Sequence, residues 1–249
     1  MTKKFSHDAN QLHIDFISSD DEGTIPMIVV VGATKGGVGK TTIALNIAIG
    51  RALEPNRRVW LVDGDRQATA LTAIGSRSEA TVRPMIAASL YCDGRDLRNQ
   101  VKQQQVNYDD VIVDVGGRDS SSLRAALLIA DVLVIPFLPR SYDVWALDDI
   151  AGLMRDANML RDKPVRVVTV LNQSDPSGTD NIDAEREAQS IDGLDRLPIR
   201  IGRRKAFANA GGSGLSVVES LPRDHKAIAE VHQLLLAVFV DDGITMKEQ

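Results

Sequence analysis

Apolar residues fall along this chain in short unbroken runs, separated by stretches with helical spacing. The run Met27-Ile-Val-Val-Val-Gly-Ala33 is rich in β-branched residues, the pattern of a strand buried on both faces. A Gly-rich turn follows, then helical character over residues 42–53. Further strands are predicted at 58–62, 111–115, 132–137 and 164–171. Helices are predicted at 93–104, with Asp93 as N-cap, at 121–130 and at 141–160. In the last of these, Val144, Leu147, Ile150, Leu153 and Met154 recur at helical spacing. Ile228, Val231, Leu235 and Val238 line one face of a final helix. Such alternation predicts an α/β fold, a parallel twisted β-sheet flanked by helices on both faces. Ligands of such sheets sit at the carboxyl ends of the strands. Residues 26–249 hold no Pro/Gly-rich linker and are expected to form one domain. Residues 1–25 are polar, end in Ser-Ser-Asp-Asp-Glu-Gly before Thr24, and are expected to form a flexible arm.

Composition narrows the class. The 249 residues are 43% hydrophobic and 25% charged, enough apolar surface for a sizeable core. The single cysteine, Cys92, excludes a disulfide framework and a Cys-rich metal site within one subunit. It fits a reducing cytoplasm. No apolar run approaches the roughly 20 residues of a membrane span, and no signal peptide is evident. A cytoplasmic protein is expected.

The chemistry concentrates in Gly32-Ala-Thr-Lys35-Gly36-Gly37-Val38-Gly39-Lys40-Thr41-Thr42, between a predicted strand and a predicted helix. That context is the one a phosphate loop needs. Glycines let backbone N–H groups wrap phosphate oxygens, and the helix N-terminus adds partial positive charge. Lys40 supplies a full charge to the outer phosphates, and Thr41 offers a hydroxyl to Mg²⁺. Residues Gly36 to Thr42 are therefore the candidate nucleotide cradle.

The common phosphate loop would have Gly at position 34, where this chain has Thr34, and Lys35 is an additional lysine. The arrangement Lys-Gly-Gly-x-Gly-Lys-Thr resembles the deviant P-loop of the ParA/MinD family of dimerising ATPases. The resemblance continues through Asp63-Gly-Asp65-Arg66-Gln67, where Arg66 replaces the family's usual proline. It includes the Walker B-like Val111-Ile-Val-Asp114 and the proline-bearing Ile135-Pro-Phe-Leu-Pro-Arg-Ser-Tyr-Asp143. The resemblance as a whole covers roughly residues 27–240. The resemblance implies ATP and Mg²⁺ as cofactors and ATP hydrolysis, weak until stimulated, as the activity. It implies that Lys35 crosses to the nucleotide of a second subunit in a face-to-face dimer. It assigns Asp65 to orienting the attacking water, and it places Asn172 near adenine. Asp63 and Asp114, at strand ends facing the phosphates, can hold Mg²⁺ through water. An Asp at a strand end serves equally well as a helix N-cap.

Net charge is −5, which at first argues against nucleic acid. The charge is divided, however. Seven cations face two carboxylates between Arg196 and Lys226, a local +5 that leaves −10 on the rest. Arg200, Arg203, Arg204, Lys205, Arg223 and Lys226 are the candidate DNA contacts, and the segment from Pro198 to Lys205 resembles the region where ParA proteins meet DNA without sequence preference. The alternative is a solvated, salt-bridged face. Only 26 residues precede Met27, so no helix-turn-helix and no operator reading is expected.

Within the family the chain looks most like small plasmid-partition ATPases. The implied cycle is ATP-driven dimerisation, nonspecific DNA binding and release when a cargo-bound ParB-type protein stimulates hydrolysis. A protein cargo, such as a carboxysome or a chemoreceptor cluster, is the alternative. A MinD-like membrane switch is disfavoured, because residues 227–249 carry few basic residues for an amphipathic anchor. A nitrogenase-type reductase is disfavoured by the lone cysteine, and an amide ligase by Lys35. Trp60 and Trp145 are expected to be packing residues. No metal site is expected at His225 and His232, and Gly211 to Gly214 reads as a turn.

Overall fold

The computed structural model describes residues 26–117, 120–194 and 198–239, apart from the side chains of Ser141 and Tyr142. The arm at 1–25 and the tail at 240–249, on which part of the membrane argument rests, lie outside the described residues. Seven strands form the sheet: β1 (Met27–Val31), β2 (Val59–Gly64), β3 (Ala87–Leu90), β4 (Asp110–Val115), β5 (Val132–Phe137), β6 (Arg166–Ser174) and β7 (Ile199–Gly202). All pairings are parallel, in the order β3-β2-β4-β1-β5-β6-β7. The predicted α/β sheet is the one observed.

Strand alternation splits the core into two layers. Ile28, Val30, Val111, Val113, Leu133 and Ile135 face one side. There they pack on α3 (Gly94–Gln104), α4 (Ser121–Leu127), α5 (Ser141–Asn158) and α6 (Asp180–Gln189). Val29, Val31, Leu61, Ile112, Val134 and Val170 face the other. That side is covered by α1 (Lys40–Ala52), α2 (Thr69–Glu79), α7 (Lys205–Gly212) and α8 (His225–Phe239). Burial on both faces is why the central strands read as continuous apolar runs. Asp93 caps α3 as expected, accepting from the N–H groups of Arg95 and Asp96.

Several elements depart from the sequence expectation. No strand or helix was expected at β3, α2, α6, β7 or α7. β3 reads Ala-Ala-Ser-Leu, without β-branched residues, and is held as an edge strand by pairing with β2. Trp60 is buried and packs against Tyr91 and Tyr108. Trp145 is 62% exposed and not a core residue. It stands one position after Val144, on the outward side of α5. Gly211 and Gly212 end α7, and the turn follows at Ser213 and Gly214.

Candidate nucleotide site and basic cleft

The phosphate loop joins β1 at the sheet centre to α1. Gly37 and Gly39 have φ of +78° and +93°, values a side chain would strain. A Cβ on Gly39 would also lie 2.1 Å from Asn172 Nδ2. A Cβ on Gly36 or Gly37 would meet no atom within 4 Å, so these two face open space. Gly39 caps α1 without a side-chain hydrogen bond. The first-turn amides of α1, those of Lys40, Thr41 and Thr42, precede the first intrahelical bond, from Ile43 N to the Gly39 carbonyl, and are available to an anion. Lys40, 9% exposed, curls back to donate to the Lys35 carbonyl at 3.2 Å. Burial pulls its ammonium below the usual lysine value, against the opposing charges of Asp114 and Asp65.

Asn172, expected at adenine, braces the loop from β6. Its Nδ2 donates to the Val38 carbonyl at 2.8 Å, and its Oδ1 accepts from Gln173 N at 2.9 Å.

The three acidic candidates stand in different environments. Asp63 and Asp114 are register partners at the ends of β2 and β4. Asp63 is committed to backbone: one oxygen accepts from Asp65 N at 2.9 Å, the other from Leu71 N at 3.0 Å. It serves as the cap of α2, whose N-cap residue, Ala68, has no capping side chain. Asp114 is fully buried, and its Oδ1 has no hydrogen-bond partner among the described residues. Burial pushes its pKa up to about 7, partly countered by a hydrogen bond with Thr41. Asp65 accepts from Gln67 N at 3.0 Å and faces Gly116. A Cβ on Gly117 would lie 3.3 Å from Lys40 Nζ, so both glycines keep this side of the loop clear.

An orphaned carboxylate oxygen beside a threonine hydroxyl fits a divalent cation, and the open side of Gly36 and Gly37 fits phosphates. Thr41 and Asp114 would hold Mg²⁺, which when bound neutralises phosphate charge. Lys35 reaches a residue to which the sequence assigned no role: its Nζ lies 3.0 Å from Asp143 Oδ1 in the first turn of α5. Thr34 Oγ1 adds a hydrogen bond to the Ala146 carbonyl at 3.0 Å. Beyond closing the proline-bearing segment, Asp143 gives one sequence signal, an acidic residue in a helix first turn.

The basic candidates do not form one patch. Lys205, Arg223 and Lys226 join His225 around a cleft of about 660 Å³ between α7 and the start of α8. Arg200 and Arg204 are drawn into ion pairs with Glu185 and Glu230. Those bonds hold both guanidinium pKa values above the usual range. Arg203 is exposed and lines a separate cavity of about 480 Å³ with Arg140, Gln173 and Asp175. Among the described residues no helix is long and apolar enough to cross a membrane.

Strand order, phosphate loop and paired strand-end carboxylates define a P-loop nucleotide-binding protein. The chain belongs to the CobQ/CobB/MinD/ParA nucleotide-binding domain family, whose pattern matches residues 29–217. It is an ATPase of the ParA/MinD type. It is 31% identical over 210 residues to a maintenance of carboxysome distribution protein A from Halothiobacillus neapolitanus. That match spans 83% of this chain and 94% of the relative. The fold is similar to that of an ATP complex of Cyanothece McdA (TM-score 0.68, 16% identity, 91% and 100% of the two chains). It is also similar to the septum site-determining protein MinD of Pyrococcus horikoshii with Mg-ADP (TM-score 0.68, 17% identity, 86% and 96%).

Proposed function

We propose that the protein is a positioning ATPase, which uses ATP to carry a protein assembly over nonspecific DNA. The observation behind this cargo is the likeness to a carboxysome distribution protein over nearly all of that relative's length. DNA segregation, the main expectation from the sequence, shares the ATP and DNA steps. It differs in its cargo and in having a ParB-type centromere-binding partner.

In the proposed cycle the loop Gly36 to Thr42 takes ATP with Mg²⁺ at Thr41 and Asp114. Lys40 neutralises the outer phosphates. Two subunits close face to face, and Lys35 of each reaches the other's nucleotide. Asp65 orients the attacking water. A single cleft with Lys205, Arg223 and Lys226 makes few phosphate contacts, so one subunit binds DNA weakly. Two clefts held together gain through effective concentration. Hydrolysis, stimulated by a cargo-bound partner, separates the subunits and releases DNA. ATP thereby shifts the population toward the DNA-binding dimer.

Deleting the gene in its host tests the cargo. Clustered or unevenly inherited protein assemblies, with plasmid retention unchanged, are expected. Lost plasmid retention with normally spaced assemblies would assign the protein to DNA segregation instead.

A further inference from the structure

The basic cleft is attached to the nucleotide site by a joint of buried polar side chains. Residues 214–219 connect α7 to the turn that opens α8. Two helices grip this segment, and each begins in the nucleotide site: α1 at Lys40, and α2 behind the Asp63 cap.

From α1, Asn46 is 1% exposed. Its Oδ1 accepts from Ser216 Oγ at 2.8 Å and from Val217 N at 3.1 Å. From α2, Arg77 is also 1% exposed. It donates to the Gly214 carbonyl at 3.3 Å and pairs with Glu219. Its remaining N–H groups go to the carbonyls of Arg83 and Pro84, each at 3.1 Å. Glu219 accepts in turn from Ser216 N at 3.2 Å. Gly214 has φ of +67°, and a Cβ there would lie 2.3 Å from the Ala73 carbonyl, so the segment lies hard against α2. Past Glu219 the chain runs through Ser220, Leu221 and Pro222 to Arg223, all lining the cleft.

A buried ion pair is a poor source of stability compared with apolar packing, whereas a fully bonded polar network fixes one arrangement. The Arg77 guanidinium offers its donors in a rigid fork that the point charge of a lysine cannot reproduce. We propose that residues 214–219 are the joint through which nucleotide sets the geometry of the basic cleft, with Arg77 and Asn46 as its positioning residues. This rests on the reading that the cleft takes DNA phosphates in an ATP-dependent way. A shift of either helix with the bound phosphates is carried to Arg223 through contacts that do not touch nucleotide or DNA.

The test compares wild type with Arg77→Lys and with Ser216→Ala, which removes one bond to Asn46. The readout is the ratio of affinities for random-sequence duplex with ATP and without nucleotide, alongside affinity for a fluorescent ATP analogue. Both variants are expected to bind the analogue like wild type, while the ATP-to-apo ratio falls by about fivefold or more, within the range of allosteric couplings. Unchanged ratios in both variants overturn the joint. An equal loss of DNA affinity in both nucleotide states also overturns it, by making Arg77 a purely structural support. A wild type indifferent to ATP would overturn the DNA reading itself, and the joint with it.

Discussion

The ammonium of Lys35 lies 3.0 Å from the carboxylate of Asp143 in the same subunit, and Asp143 is 3% exposed. A lysine proposed to serve the neighbouring subunit is therefore held at home by α5. Face-to-face closure has to exchange this ion pair for one with the neighbour's phosphates. Asp143→Asn keeps the shape and removes the charge. The variant is expected to dimerise at about fivefold lower ATP, the equivalent of about 1 kcal/mol for an ion pair whose lysine is part-exposed. Sedimentation velocity across an ATP titration measures this, and an unchanged or higher ATP requirement speaks against a latch.

Binding and hydrolysis are expected to separate by residue. Lys40→Ala removes a charge-assisted contact worth about 3 kcal/mol, so ATP affinity should fall about 100-fold. Asp65→Ala should leave ATP affinity near wild type, slow turnover by about 100-fold or more, and hold the protein as a dimer. Equilibrium binding of labelled ATP with phosphate release distinguishes the two. Normal turnover in Asp65→Ala removes Asp65 from the water-orienting role.

Asp114 gives the site a pH dependence. Its pKa of about 7 in the nucleotide-free protein lies above the ordinary carboxylate value. Below pH 7 the acid is neutral and a poor cation ligand, so Mg²⁺-dependent ATP affinity should drop between pH 8 and pH 6. Folding responds in the opposite sense. The folded state prefers the neutral acid, so this group's contribution to stability falls as pH rises from about 4 to about 7, then levels off. Asp114→Asn should raise the melting temperature of the nucleotide-free protein at pH 8 more than at pH 5. Equal shifts at the two pH values would contradict the raised pKa.

The cleft divides the six basic candidates. Replacing Lys205, Arg223 or Lys226 by Ala should weaken DNA binding on every sequence and lower the salt slope by about 1 per lost phosphate contact. Arg200→Ala mainly strands Glu185, which is 8% exposed, and should lower the melting temperature more than DNA affinity. A larger DNA defect in Arg200→Ala than in Arg223→Ala would move the interface to the ion-paired arginines.

Legibility in the sequence followed locality. The phosphate loop could be read because its residues are neighbours in the chain, and β5 because Val132 to Phe137 is an unbroken apolar run. α2 was missed because its cap, Asp63, belongs to the preceding strand and reaches across space. β3 was missed because Ala87 to Leu90 becomes a strand only by pairing with β2. The Lys35–Asp143 and Arg77–Glu219 pairs join residues more than a hundred positions apart, and no spacing rule brings them together. The burial of Asn46 and Arg77 in a polar joint contradicts their types, since such residues usually lie at the surface. Trp145 is a different case: the helical period places Val144 and Leu147 inward and could have shown that Trp145 faces out.

The central claim is that ATP converts this protein into a DNA-binding dimer. Its most direct test is retention of random-sequence duplex DNA by the wild-type chain without nucleotide, with ADP and with ATP, each with Mg²⁺. Retention with ATP alone is the predicted result. Equal retention in all three conditions, or none in any, would contradict the account.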